Sequence, residues 1–292
     1  MTAKKVLVAG ATGYLGSHVV RELHKRGYFV RALARKPEKA RRLDLPCDEI
    51  FVGEATEIET LSGLCDGIDV VISSLGIRSL DRYPTVEEVD YGANMNILSE
   101  AKKSGVEHFI FVSVLKGEEL RSQNRVMDAR ERVCDALKAS GLQYTIARPS
   151  GFFNDMEGIF DMARSGRFAL IGKGDILLNP IHGADLAHEL VNSIEQQERW
   201  NTAFDIGGPD VLTMKEIGYM AFTALGKSPS YVSIPAWLIG TAGFVAQPFN
   251  MNAASMLQTI ATMGAITDLS APRYGSHHLY EFYMELAQKD AH

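Results

Sequence analysis

The stretch Val6-Leu7-Val8-Ala9-Gly10-Ala11-Thr12-Gly13-Tyr14-Leu15-Gly16 constrains this chain more than any other. An apolar run of strand character enters a glycine-rich turn and passes directly into Ser17-His18-Val19-Val20-Arg21-Glu22-Leu23, which reads as a helix. Gly10 and Gly13 lack the β-carbon that would block a tight bend and a close backbone approach, and Gly16 lets the helix lie near the strand. Backbone N–H groups and the positive end of the helix then face one spot, where a phosphate belongs. Glycine clusters also mark ordinary turns. The strand before and the helix after make this one a dinucleotide site, lined by Gly10, Thr12, Gly13, Tyr14, Leu15 and Gly16.

From there the first half alternates strand and helix patterns, which predicts an α/β fold: a Rossmann-type, doubly wound parallel sheet with right-handed crossovers. Gly27 caps the first helix, and Phe29-Val30-Arg31-Ala32-Leu33 forms the second strand. An acidic residue about 20 residues past the turn would bind ribose hydroxyls, but the chain reads Ala34-Arg35-Lys36. Arg35 suits a 2′-phosphate, which favours NADP over NAD; otherwise both cations simply face solvent. Glu49-Ile50-Phe51-Val52 is the third strand. Glu54 follows it, either in an adenine pocket or as a plain loop acid, and Thr56 with Glu59 spells a capping box. Asp69 to Ser73 makes the fourth strand, and Ser74-Leu75-Gly76 is a small-residue crossing suited to ribose and phosphate. A loop over 77–84 leads to a helix ending near Ser104, on which Asn94 reads as a structural tie to a neighbouring strand. The fifth strand ends in the hydroxyl of Ser113 at the sheet's carboxyl edge, and Lys116 lies in the loop beyond it. After a helix over 126–140, the sixth strand delivers Arg148-Pro149-Ser150-Gly151-Phe152-Phe153 to the same edge, with Pro149 and Phe152 as cofactor contacts.

At 292 residues and 46% apolar content the chain can bury a full core. We expect an NAD(P)-binding domain over 1–150 and a smaller substrate-covering part over 151–292, packed on the same sheet. There Thr213 and Glu216 form a second capping box, and His182 reads as a hydrogen-bonded structural residue before a catalytic base. The net charge of -6 argues against nucleic-acid binding. Cys47, Cys65 and Cys134 have no metal-ligand spacing and read as reduced thiols of a cytoplasmic protein, with no metal expected. The amino terminus enters a strand at once, leaving no room for a signal peptide. Residues 228–267 contain no Asp, Glu, Lys or Arg. Their apolar part falls short of the about 20 residues a bilayer span needs. A buried or lid-forming helix pair is the first reading, and a membrane-surface contact that makes the protein peripheral is the second.

These residues resemble the atypical short-chain dehydrogenase/reductases of the NmrA-like, NAD(P)H-binding group over most of the chain. The marks are the Gly-Ala-Thr-Gly-Tyr-Leu-Gly turn, Val30-Arg31-Ala32-Leu33-Ala34-Arg35, the strand end at Ser113, and Ser140-Gly141-Leu142-Gln143-Tyr144-Thr145-Ile146-Ala147-Arg148-Pro149. Asn179-Pro180-Ile181 with Asp185-Leu186-Ala187, Gly207-Gly208-Pro209, and Ala271-Pro272-Arg273-Tyr274-Gly275 are similar to the divinyl chlorophyllide 8-vinyl reductase branch. The resemblance implies NADPH and hydride transfer to a small apolar or conjugated substrate. Its superfamily usually carries a Tyr-x-x-x-Lys pair that protonates a carbonyl oxygen; here Val126 and Arg130 stand at those positions. Valine gives no proton, so an activated C=C or a quinone-like acceptor fits better than a ketone. Arg130 then takes the lysine's place at the nicotinamide ribose, and the proton comes from Ser113, Lys116 or water. The alternative is a non-catalytic NADP(H)-binding regulator or assembly factor.

Overall fold

The structure, a computed structural model, describes residues 3–77 and 81–290, so residues 78–80 of the loop expected over 77–84 lie outside the described residues. In chain order the elements are β1 (Lys5–Ala9), α1 (Tyr14–Lys25), β2 (Phe29–Ala34), α2 (Pro37–Arg42), β3 (Glu49–Val52), β4 (Val70–Ser73), α3 (Asn94–Lys103), β5 (His108–Val112), α4 (Gly117–Leu120), α5 (Arg125–Lys138) and β6 (Gln143–Pro149). There follow α6 (Glu157–Arg164), β7 (Phe168–Ile171), β8 (Leu177–Leu178), α7 (Gly183–Asn192), β9 (Thr202–Ile206), β10 (Leu212–Thr213), α8 (Met214–Ala224), β11 (Tyr231–Ile234), α9 (Ala236–Ala246), α10 (Met251–Gly264), β12 (Asp268–Leu269) and α11 (Leu279–Asp290).

The chain folds into two compact units. The first holds residues up to Arg148 together with Leu186–Phe204; the second holds Pro149–Asp185 and the chain from Asp205 onward. Helix α7 explains why 186–204 returns to the first unit. The Arg26 guanidinium after α1 donates to Asn192 Oδ1 at 2.7 Å, and Arg199 pairs with Glu189 at 2.6 Å to tie the end of this segment to its own helix.

The main sheet has seven strands in the order β3-β2-β1-β4-β5-β6-β9. The five pairings from β3 to β6 are parallel, and α1 packs on β1 and β2. Strand order reverses at β1 and β4, with Ala9 opposite Ser73, so the carboxyl ends of these two strands flank the crevice where ligands of such sheets bind. Leu7, Val71, Phe109, Phe111, Ile97, Val133 and Ile146 share one apolar core. Each such side chain stabilises the fold by about 1.5–3 kcal/mol on burial.

The second unit has its own core, in which Phe153, Phe160, Phe168, Phe222 and Tyr283 are fully enclosed. The Tyr283 hydroxyl meets its hydrogen-bonding need by donating to the Met156 carbonyl at 3.0 Å. The two small sheets, β10-β8-β12 and β11-β7, draw all but part of β10 and β12 from this same core and its rim.

Two local readings need correction. Thr56 and Glu59 form no capping box: the N-cap of the single tight turn Ile58–Leu61 is Glu57, whose side chain makes no cap hydrogen bond. The box at Thr213 is present, with the threonine hydroxyl accepting from Glu216 N at 3.1 Å and the Glu216 carboxylate accepting from Thr213 N at 2.7 Å. The second correction concerns 228–267. Helices α9 and α10 do pair, with Gly243 packed against Leu257 and Ala254, but the pair is not buried. Trp237, Phe244 and Phe249 are each more than 70% exposed, because apolar residues surround α9 on all sides and α10 covers only one.

Candidate functional site

The glycine turn is built as its sequence requires. Gly10 adopts φ +85°, and a β-carbon on Gly16 would stand 2.1 Å from the Gly10 carbonyl oxygen. The Gly13 amide donates to that same oxygen at 2.9 Å, and Ser17 N donates to Gly13 O at 3.0 Å to start α1. Gly13 is the N-cap of α1 and offers no side chain to its first-turn amides; that turn carries no acidic residue, while His24 and Lys25 occupy the last turn. The positive end of the helix is therefore left to an external anion. Leu15 and Gly16 are buried, Thr12 and Tyr14 are half-buried, and the Tyr14 ring meets His18 edge-on at 5.2 Å. Across the crevice, Ser74 N donates to Ala9 O at 3.0 Å, which leaves Ser74 Oγ where a β-carbon on Gly10 would lie only 2.9 Å from it.

At the adjacent strand ends, Arg35 follows β2 and Glu54 follows β3. Arg35 Nη1 lies 3.4 Å from Glu54 Oε2, and the arginine side chain is 66% exposed. Glu54 N donates to the Thr60 hydroxyl at 2.9 Å, which fixes the loop that carries the carboxylate. An exposed pair of this kind is worth about 0–1 kcal/mol, so the carboxylate does not commit the guanidinium. An uncapped helix terminus, glycines that permit close approach and an exposed arginine on one sheet edge together fit a phosphorylated dinucleotide.

Beyond β4 and β5 the polar groups are committed to one another. Arg130 Nη1 donates to the Val112 carbonyl at 2.8 Å, and Arg130 Nη2 lies 2.8 Å from Asp90 Oδ1. Asp90 is fully buried; burial pushes its carboxyl above the usual range, opposed by Arg130 and by the amide of Ile77, which donates to Oδ2 at 3.0 Å. Ser113 is 3% exposed, and its hydroxyl donates to Glu131 Oε1 at 2.9 Å. The other Glu131 oxygen pairs with Arg148 at 2.8 Å. Lys116 sits in left-handed backbone at φ +56° and pairs with Glu119 at 3.5 Å.

The structure thus gathers the expected residues of the first unit into the glycine turn with Ser74, the Arg35–Glu54 pair, and the groups around Leu75, Gly76, Ser113 and Arg130. Pro149 and Phe152 belong to the second unit, where Phe152 bridges Ile181 and its N–H donates to Asp155 Oδ2 at 3.1 Å. His182 is also there. Its ring stacks on His277 at 4.2 Å and meets Phe153 at 5.4 Å, and both burial and His277 lower its pKa. Asn94 ties α3 to β4 through Ser73 Oγ, at 2.6 Å.

Asp90, Glu131 and the role of Arg148 escape a sequence reading, although a trace exists. Met127, Glu131 and Cys134 follow the i, i+4, i+7 spacing of one buried helix face, and so do Asp90, Asn94 and Ile97. An acid inside an apolar stripe announces a buried partner.

Comparison with known proteins agrees with this geometry. The divinyl chlorophyllide a 8-vinyl-reductase, chloroplastic, of Arabidopsis thaliana is 28% identical, with the match covering 97% of this chain and 77% of that protein. The photosystem II assembly factor Ycf39 of Trieres chinensis is 26% identical over 80% of this chain and 73% of its own length. The NADPH-dependent quinone oxidoreductase of Escherichia coli, solved with NADPH, shares the fold at a TM-score of 0.77 and 18% identity, covering 96% of this chain and 99% of that one. The family model described as NAD(P)H-binding matches residues 10–197. On that match, and on the glycine turn that opens it, the chain belongs to the NAD(P)H-binding family.

Proposed function

We propose that the protein is an NADPH-dependent reductase acting on a small, apolar, conjugated substrate with an activated C=C or a quinone-like acceptor. The observation that carries this reading is the uncapped N-terminus of α1 on the same sheet edge as the exposed Arg35. The reductases among its relatives, named for a vinyl group and for quinones, support the acceptor class.

NADPH, when bound, supplies a hydride from its nicotinamide ring. In this reading the amides of the turn from Gly10 to Leu15 hold the pyrophosphate, with Thr12 and Tyr14 beside it. Arg35 takes the 2′-phosphate, displacing Glu54, which turns to the adenosine. Ser74, Leu75 and Gly76 form the floor under the ribose and phosphates. Arg130 steadies negative charge and hydroxyls at the reacting end. Ser113 directs its only proton to Glu131, so it serves as a fixed acceptor for the ligand. That leaves Lys116, held loosely by Glu119, or water to protonate the atom that carries the negative charge after hydride transfer, the neighbouring carbon of an activated C=C or the oxygen of a quinone. A screen of NADPH consumption against naphthoquinones, enones and a vinyl tetrapyrrole tests the proposal. Turnover with at least one class supports it; none with any class contradicts it.

A second reading rests on the exposed α9–α10 pair. No helix among the described residues is long and apolar enough to cross a membrane. Trp237, Leu238, Phe244, Val245 and Phe249 nevertheless present a charge-free apolar surface. On a cytoplasmic protein such a surface makes a peripheral membrane contact, and with the likeness to Ycf39 it suits an assembly factor whose partners respond to NADP(H). NADPH binding without turnover, together with sedimentation on neutral phosphatidylcholine vesicles, is the outcome that favours this reading over the first.

A further inference from the structure

The residues Glu87–Ala93 form wide i→i+5 turns ahead of α3, a rare geometry that is frequent at functional sites. Asp90 is carried on it, with none of its surface exposed. A carboxylate so enclosed gives up its hydration, and a buried ion pair adds little net stability to a fold. Its placement therefore calls for a role other than holding the fold together.

Its contacts supply one. The Asp90 oxygens reach Arg130 Nη2 at 2.8 Å and Ile77 N at 3.0 Å, and its backbone carbonyl accepts from the Asn94 side-chain amide at 2.9 Å. Asn94 in turn accepts from Ser73 Oγ on β4, and Arg130 donates to Val112 O on β5. Asp90 thus spans the carboxyl ends of β4 and β5 and fixes Arg130 between them. Gly76 completes the arrangement, since a β-carbon on it would lie 1.8 Å from Arg130 Nη2. The arginine side chain is 15% exposed, so it is not wholly enclosed by these partners.

We propose that Asp90 is a positioning residue for the nicotinamide half of the cofactor: it seats the Arg130 guanidinium against Gly76, at the ends of β4 and β5, so that the cation meets the ribose next to the nicotinamide ring. The inference rests on the reading that this site holds NADP(H). Asp90 acts only through Arg130, and neither residue takes part in holding the adenosine half.

The test compares two probes, NADPH and 2′,5′-ADP, which carries the adenosine and 2′-phosphate but no nicotinamide ribose. Titration calorimetry on wild type, Asp90→Asn, Arg130→Met and the double variant is expected to give about tenfold weaker NADPH binding for each single variant. Binding of 2′,5′-ADP stays within about twofold, and the double variant loses no more than the singles, as residues acting as one unit do. Should D90N fail to fold, Asp90→Glu keeps the charge, displaces it by one methylene and carries the same comparison. Equal loss of both probes, unchanged NADPH binding, or additive losses in the double variant overturns the inference. A wild-type protein that binds neither probe overturns the cofactor reading itself, a result distinct from these.

Discussion

Arg130 lies so close to Gly76 that any side chain at residue 76 would displace it: the ideal β-carbon position is 1.8 Å from Nη2. Hydrogen at this position is therefore a condition for the guanidinium to occupy its place between the ends of β4 and β5. Gly76→Ala is expected to dislodge Arg130 and weaken NADPH binding by about tenfold, roughly 1.4 kcal/mol. NADPH fluorescence titration measures it, and unchanged affinity contradicts the assigned role of this residue.

Arg35 is held only by an exposed pair with Glu54 at 3.4 Å, so it is available to a phosphate. Replacing it, Arg35→Ser, should cost NADPH binding about ten- to a hundredfold, the worth of charged hydrogen bonds, while NADH binding hardly changes. Equal effects on both dinucleotides would place the 2′-phosphate elsewhere.

The cysteines differ in reactivity for a structural reason. Burial pushes the thiols of Cys65 and Cys134 up to about 12, whereas Cys47 is only half-buried. A thiol-specific reagent should label one cysteine slowly in the native protein and all three in denaturant. Rapid labelling of Cys134 in the native state contradicts the packing of α5 on the sheet.

His108 gives the fold an acid sensitivity. It is buried on β5, and its Nε2 meets Thr145 Oγ1 at 2.9 Å; since that hydroxyl donates to Arg199 O, the ring nitrogen is the donor in this contact. Burial, with Lys4 nearby, lowers its pKa to about 4. The unfolded chain takes up the proton first, near pH of about 6.5. Stability from this group is whole above that pH and is lost as pH falls toward about 4, by at most about 3 kcal/mol. Urea unfolding at several pH values should show a shallower acid loss for His108→Gln than for wild type; parallel curves contradict it.

Much of the framework could be read from local sequence because local chemistry decides it. The glycine turn, strands β2 to β6, the helix stop at Gly27, with φ +78°, and the capping box at Thr213 each depend on residues within a few positions of one another. What stayed hidden needs pairs distant in sequence. Asp90 with Arg130, and Ser113 with Glu131 and Arg148, become neighbours only when strand order is known. In the charge-free stretch 228–267 the helix pair is present but the burial that composition suggested is not, because a two-helix pair has too little surface of its own to cover Trp237 or Phe249.

The outcomes expected for Gly76 and Arg35 presuppose that the first crossover grips a dinucleotide bearing the extra phosphate. Calorimetric titration of the wild-type protein with NADPH and with NADH tests this directly. The account predicts one NADPH per chain, bound at least about tenfold more tightly than NADH. No binding of either, or equal affinity for the two, contradicts it.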